Sequence, residues 1–262
     1  MASQVHTVSA AEVAARFASA TLDEFATLRE RYATDPRKQV QQALARAERR
    51  LAREQAEGTR VERMYEEMYE LGGDGLIVGV DEVGRGSVAG PLTVCAVALP
   101  RDPIVWGLND SKKLTPARRE VLAARIAEVA IGIGLCHIPA ARIDEVGIAS
   151  ALREAVAGAV RDSGLEPDCV LMDGNPLHAV PNERDVVHGD ARIACIAAAS
   201  IVAKVTRDAH MVELDALYPG YHFAESKGYA SPEHIEAIRA YGLTDEHRVS
   251  FCGNFLENER LF

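Results

Sequence analysis

Asp81 and Glu82 in LIVGVDEVGRG, Asp173 in VLMDGN and Asp190 in VVHGDARI are carboxylates that each close an apolar run. A glycine stands close to each of them, at Gly79, Gly84, Gly174 and Gly189. Apolar runs rich in β-branched residues read as buried strands. An acid just past such a strand lies at the sheet rim, where a glycine lets backbone or ligand come close. Several acids at one rim repel one another unless a cation holds them, and hard divalent cations prefer carboxylate oxygens. The pattern therefore points to a Mg²⁺ or Mn²⁺ site that works on phosphate. Two such ions can activate a water on one side of a phosphodiester and neutralise the departing oxygen on the other. Four carboxylates roughly balance two divalent charges, and no Ser-His signature offers a competing chemistry.

The elements that must position these acids follow from pattern. Leu76–Asp81, Leu92–Leu99, Gly132–Ile138 and Cys169–Asp173 read as strands, with Val186–Val187 as a short fifth. Thr115-Pro116 opens a helix to about Ala130, Ala149–Asp162 is a second, Ala191–Leu217 a third, and Ser231-Pro232 opens a fourth to about Tyr241. Strands mixed with helices around one sheet give an α/β layered domain. The connection between the first two strands is too short for a helical crossover, so they are antiparallel. Asp81 and Glu82 are neighbours and would face opposite sides of a regular strand. They share a site only if the strand ends or distorts there, and Gly84-Arg85-Gly86 supplies freedom for that turn. Asp208 in VTRD is a tempting further ligand. Along one straight helix, however, it would lie on the order of 27 Å from Asp190, so an ion-pair or structural role is assigned to it. Lys204 reads as a pairing or solvated lysine, and Cys195 as a small core residue.

Upstream of Gly72-Gly73-Asp74-Gly75 everything reads as helix, which sets a helical extension over residues 1–73 against an α/β domain over 74–262. Ser9-Ala10-Ala11-Glu12 and Thr21-Leu22-Asp23-Glu24 fit the capping box, and Thr34-Asp35-Pro36 marks a third start. Three or four short helices are expected over residues 8–71. Arg46, Arg49, Arg50 and Arg53 recur at helical spacing. That stripe either tracks a phosphate backbone or is a solvated helix face.

The 262 residues, 48% hydrophobic, suffice for one large core and a smaller appendage. Five scattered cysteines without a CxxC pair argue for a reducing cytosol and against structural zinc or a disulfide framework. No signal-peptide layout or long apolar span is present, so a soluble cytoplasmic protein is expected. The net charge of −10 is unusual for a protein that handles nucleic acid, unless metal offsets it and basic residues cluster locally. The ending Glu259-Arg260-Leu261-Phe262 carries two apolar side chains that could dock or project.

GVDEVGRGSVAGP, GLNDSKKL, LMDGNPL, HGDARIACIAAASIVAKVTRD, YPGY with KGYASPEH, and HRVSF follow one another over residues 76–251. In these motifs the chain resembles bacterial ribonuclease HII, the type 2 ribonuclease H, and its helical start is similar to an extension found in some Gram-positive members. The resemblance implies a ribonuclease H-like mixed sheet flanked by helices, with a small all-helical N-terminal extension. It implies that Asp81, Glu82, Asp173 and Asp190 are the catalytic metal-site acids for Mg²⁺ or Mn²⁺. It further implies that the backbone of Gly84, Arg85 and Gly86 reads a ribonucleotide 2′-hydroxyl, that Tyr229 packs on the next sugar, and that Lys112 and Lys113 contact phosphate. The implied partners are RNA–DNA hybrids and duplex DNA with embedded ribonucleotides, cut on the 5′ side to leave 3′-hydroxyl and 5′-phosphate ends, by a monomer without a membrane. His188 stands where a lysine is usual, and Arg192 and Cys195 replace commonly small or hydroxyl residues. The sister type, ribonuclease HIII, differs in its N-terminal domain and cuts single embedded ribonucleotides poorly. A catalytically silent hybrid-binding module is the reading from another class, and four acids facing phosphate speak against it.

Overall fold

The computed structural model describes residues 8–256, so the apolar ending at 259–262 lies outside the described residues. The chain forms two compact units, Met1–Arg60 and Val61–Phe262. In the first, helix α1 (Ala10–Ser19) and helix α2 (Leu22–Tyr32) both start on the expected capping boxes. Helix α3 spans Lys38–Gly72. Val13, Phe17, Phe25, Tyr32, Val40 and Leu51 are buried together, with the Phe17 ring edge-on to Phe25 at 6.0 Å.

The expected series of short helices is instead two short ones and one of 35 residues. The stretch is rich in Ala, Glu, Gln and Arg, all strong helix formers, and Gly58 costs only about 1 kcal/mol against alanine. The helix ends where the glycines begin, with Gly73 at φ +83° donating its N–H to the Tyr69 carbonyl. Compactness divides the chain earlier, inside α3, because Val61, Met64, Tyr65 and Met68 belong to the core of the second unit. Of the arginine stripe, Arg50 is spent on Glu54 and the Ala20 carbonyl, while Arg46, Arg49 and Arg53 are exposed.

The second unit is built on a five-stranded sheet in the order β3-β2-β1-β4-β5. Its strands are β1 (Ile77–Val83), β2 (Leu92–Ala98), β3 (Gly132–Ile138), β4 (Cys169–Asp173) and β5 (Glu183–Val186). β1 pairs antiparallel with β2, as the short connection requires, and parallel with β4, which pairs parallel with β5. Strand alternation sends Val78, Val80, Val94, Ala96 and Val170 to one face. Ile77, Cys95, Val97 and Leu171 go to the other. Helix α4 is Pro116–Val129, α5 Ala140–Val146, α6 Ile148–Asp162 and α7 Ala194–Leu217. Leu152, Ala155 and Val156 of α6 cover the first face, and the alanine-rich start of α7 covers the second. A β-carbon at Gly79 would lie 2.3 Å from the Cys195 carbonyl carbon, so the strand and the α7 backbone meet almost directly. Cys195 is the small core residue the sequence suggests. Helices α8 (Phe223–Ser226), α9 (Pro232–Tyr241) and α10 (Gly253–Leu256) complete the unit.

Candidate active site

The site lies at the carboxyl ends of parallel strands, where open α/β sheets leave a crevice. The β1–β4 ladder stops at Val80↔Met172, so Asp81 and Asp173 are the next residues as the two strands part. Against expectation, β1 neither ends nor distorts at the acids, because its pairing with β2 stays regular through Val83↔Thr93. Asp81 is buried and faces α7, from which the Ser200 hydroxyl works to lower its pKa against burial. Its Oδ1 also accepts the Glu82 N–H at 2.8 Å.

Asp190 does not belong to the long helix that follows it. His188 takes a left-handed conformation (φ 58°), Gly189–Ala191 forms a 3-10 turn, and α7 starts only at Ala194. Asp173 Oδ1 accepts the Gly189 N–H at 2.7 Å, which ties that turn to the end of β4. Glu183 of β5 accepts N–H groups from Leu177, His178, Ala179 and Val180, fixing the loop between the two strands.

Electrostatics binds the four acids into one group centred on Asp173. Burial, then the charges of Glu82 and Asp173, hold the Asp81 carboxyl well above the ordinary carboxylate range. Burial and Asp173 raise Glu82 against the pull of Arg85. Burial, Asp173 and Asp110 raise Asp190 against the pull of Lys112. Each acid nevertheless leans on a group of the protein. Glu82 lies 3.5 Å from Arg85 Nη1 and Asp190 3.8 Å from Lys112 Nζ. As the side chains stand, no group of three or more His, Cys, Asp or Glu among the described residues could hold a metal ion. The donor set still suits one in kind: hard oxygens whose mutual repulsion a divalent cation would cancel, needing side-chain rotation away from these partners.

The lysines separate. Lys112 reaches the acids, whereas Lys113 Nζ lies 3.8 Å from Asp110. Burial works against the Lys112 charge, but Asp190, Asp110, Asp81 and Asp173 turn its pKa upward. Their 3-10 turn, Ser111–Lys113, is capped by Asp110, and its Ser111 hydroxyl meets Ser200 at 2.9 Å. Arg119 of α4 donates to the Ser111 and Leu114 carbonyls and pairs with Asp208, which also takes Lys204 at 2.7 Å. Asp208 and Lys204 thus have the ion-pair roles expected of them.

The two glycines of the Gly84-Arg85-Gly86 turn differ. Gly84 has φ +82°, and a β-carbon there would sit 2.2 Å from Arg207 Nε, so internal packing demands glycine. Around Gly86 nothing lies within 4 Å of such a carbon, leaving its backbone open to a ligand. Tyr229 exposes 42% of its surface on the neighbouring turn. Two fully buried arginines that composition gave no reason to single out hold these turns together. Arg207 donates to the Pro91, Ala89 and Lys227 carbonyls, and Arg248 to those of Gly90 and Arg85. His188 is exposed, and Arg192 pairs with Glu67.

The family model described as Ribonuclease HII matches residues 78–254, and the one described as Ribonuclease HII N-terminal domain matches residues 9–70. The ribonuclease HII of Geobacillus thermodenitrificans (strain NG80-2) is 48% identical over 220 residues, which is 83% of this chain and 85% of the relative. The crystal structure of the ribonuclease H2 from Pyrococcus horikoshii OT3 aligns with a TM-score of 0.62 at 25% identity, over 71% of this chain and 99% of that one. The Mn²⁺ complex of Bst-RNase HIII shares the fold, with a TM-score of 0.57 at 19% identity over 74% and 72% of the two chains.

Proposed function

The chain belongs to the ribonuclease HII family, and from that premise we propose a divalent-metal-dependent endoribonuclease that cuts the RNA strand of RNA–DNA hybrids and the 5′ side of single ribonucleotides embedded in duplex DNA. The products would carry 3′-hydroxyl and 5′-phosphate ends, as in primer removal and ribonucleotide excision. The observation that carries this reading is the electrostatic grouping of Asp81, Glu82 and Asp190 around Asp173 where β1 and β4 part. The match of residues 9–70 to the ribonuclease HII N-terminal domain favours this family over its HIII sister.

Asp81, Glu82, Asp173 and Asp190 would hold Mg²⁺ or Mn²⁺, whose chemistry is to lower the pKa of a bound water and neutralise the leaving 3′-oxygen. The protein's own groups do the rest. Lys112 exchanges its contact with Asp190 for a phosphate oxygen of the substrate, with Lys113 beside it on the same turn. The backbone of the Gly84-Arg85-Gly86 turn, open at Gly86 and held at the Arg85 carbonyl by Arg248, approaches the 2′-hydroxyl, the group that marks a ribonucleotide inside DNA. Gly84 gives that turn its left-handed step, and the exposed Tyr229 ring packs on the next sugar. The enzyme would work as a monomer in the cytoplasm, where its free cysteines stay reduced. Residues 8–71 would serve as a helical module that grips the substrate.

The test is cleavage of a long hybrid and of a one-ribonucleotide duplex with Mg²⁺, Mn²⁺ or EDTA, with the product ends mapped. Cleavage of both substrates only with metal is expected. Binding without cutting would instead favour a silent hybrid-binding module.

A further inference from the structure

The Tyr229 ring is exposed, but its backbone is not free. The Tyr229 carbonyl accepts His234 Nδ1–H at 2.8 Å. His234 is fully buried, and its Nε2 meets Nε2 of the buried His247 at 3.1 Å. His247 Nδ1 accepts the backbone N–H of Thr244 at 2.9 Å. These partners fix both tautomers from the two ends. An amide N–H can only donate, so His247 Nδ1 is bare and its proton sits on Nε2. A carbonyl can only accept, so the His234 proton sits on Nδ1 and its Nε2 is bare. The bond between the rings therefore runs from His247 to His234 and exists only while His234 is neutral. A second proton on His234 would set two N–H groups against each other. Burial lowers the pKa of both rings, that of His247 to about 4, which keeps the chain of bonds intact at neutral pH.

We propose that His234 and His247 are positioning residues that set the Tyr229 ring against the substrate through this two-imidazole relay. The relay ends on a turn held from its other side as well. Arg207 donates to the Lys227 carbonyl, and the Gly228 carbonyl accepts the N–H groups of Val88 and Ala89. The Arg207 guanidinium carbon lies 6.0 Å from the Tyr229 ring centroid. The turn that carries the ring is thus locked to the loop following Gly86, and His234 joins the Ser231 N–H on the carbonyl of Tyr229 itself, the one side-chain group to do so. The proposal rests on the reading of Tyr229 as a substrate contact.

The isosteres of histidine make it testable with the full chain. Asparagine places an amide N–H near the position of Nδ1, and glutamine places one near Nε2. His234→Asn keeps the bond to Tyr229, whereas His234→Gln loses it. At position 247 the order reverses, with His247→Gln keeping the inter-ring bond and His247→Asn losing it. Steady-state cleavage of a one-ribonucleotide duplex should show kcat/KM reduced by about tenfold in H234Q and H247N, with H234N and H247Q near the parent. In a Tyr229→Ala background H234Q should add no further loss, because it acts through the ring already removed. Equal losses in the Asn and Gln variants at each position, or an H234Q loss that multiplies that of Y229A, would overturn the relay. A fully active Y229A enzyme overturns the reading of Tyr229 instead. A damaged Y229A with an unharmed H234Q overturns the relay alone. Melting temperatures of all variants identify any that fail to fold, and the 247 pair then decides.

Discussion

Asp173 Oδ1 accepts the Gly189 N–H at 2.7 Å, so the strand that ends in one acid is latched to the turn that carries another. The same carboxylate raises the pKa of Asp81, Glu82 and Asp190. Asp173→Asn separates the two roles, since the amide oxygen can still accept from Gly189 while the charge is gone. Cleavage should fall by at least about 10²–10³-fold, the usual cost of losing one electrostatic stabiliser, with an unchanged circular dichroism spectrum. A D173N enzyme at parental rate would remove Asp173 from the site.

Stability should respond to pH in the opposite sense from that of a salt-bridged acid. Asp81 binds its proton more tightly folded than unfolded. Its contribution to stability therefore falls as pH rises from the ordinary aspartate value through the raised one. Asp81→Asn removes that penalty. By calorimetry in EDTA, D81N should melt above the parent at pH 8, and the gap should close as pH falls toward the usual aspartate range. A D81N protein that melts below the parent at pH 8 contradicts this. The same variant should bind substrate and fail to cut it.

Lys112 faces Asp190, whereas Lys113 faces Asp110. Lys112→Met should raise KM on every substrate sequence and reduce the slope of log affinity against log salt by about 1. Lys113→Met should do less of both. Fluorescence anisotropy over a salt series measures the difference, and equal effects would mean that the two ammonium groups are interchangeable.

The two glycines of the Gly84-Arg85-Gly86 turn should fail differently. Gly84→Ala meets an unfavourable φ and the Arg207 side chain, so a loss of at least about 1–3 kcal/mol in urea unfolding is expected. Gly86→Ala meets open space and should unfold like the parent while its KM rises. A destabilised Gly86→Ala protein with normal KM would reverse the assignment.

Removal of the N-terminal helices is best made after Arg60. A cut at residue 71 would strip Val61, Met64, Tyr65 and Met68 from the buried core, along with the Tyr65 hydroxyl that accepts the Val105 N–H. Loss of residues 1–60 should weaken substrate affinity more than turnover and flatten its salt dependence. Unchanged affinity and slope would make Arg46, Arg49 and Arg53 a solvated face only.

The strands, the antiparallel start and the place of Asp173 at a strand end beside glycine were legible because each rests on local pattern: β-branched runs, a short connection, and glycine beside carboxylate. The direction of Lys113 and the inward need for Gly84 were not, since Asp110 and Arg207 become relevant only once the loops close. Arg207 and Arg248 look like ordinary helix and loop arginines in sequence, and only burial reveals that they bind carbonyls. His234 and His247 lie within quoted motifs, but their partnership depends on two rings meeting across separate segments. The full length of α3 was hidden by Gly58, whose small cost is outweighed by the strong helix formers around it.

Arg207 and Arg248 sit beneath the glycine turn with carbonyl dipoles as hydrogen-bond partners and, among the described residues, no ion pair to a carboxylate. Their charge is met by those carbonyls, with Asp208 acting on Arg207 and Asp144 on Arg248 from farther off. A molecule with an excess of acid thus keeps, over a few ångströms, a cationic interior. The titration of the whole describes its migration in a gel, while two hidden guanidinium groups hold the shape of the glycine turn.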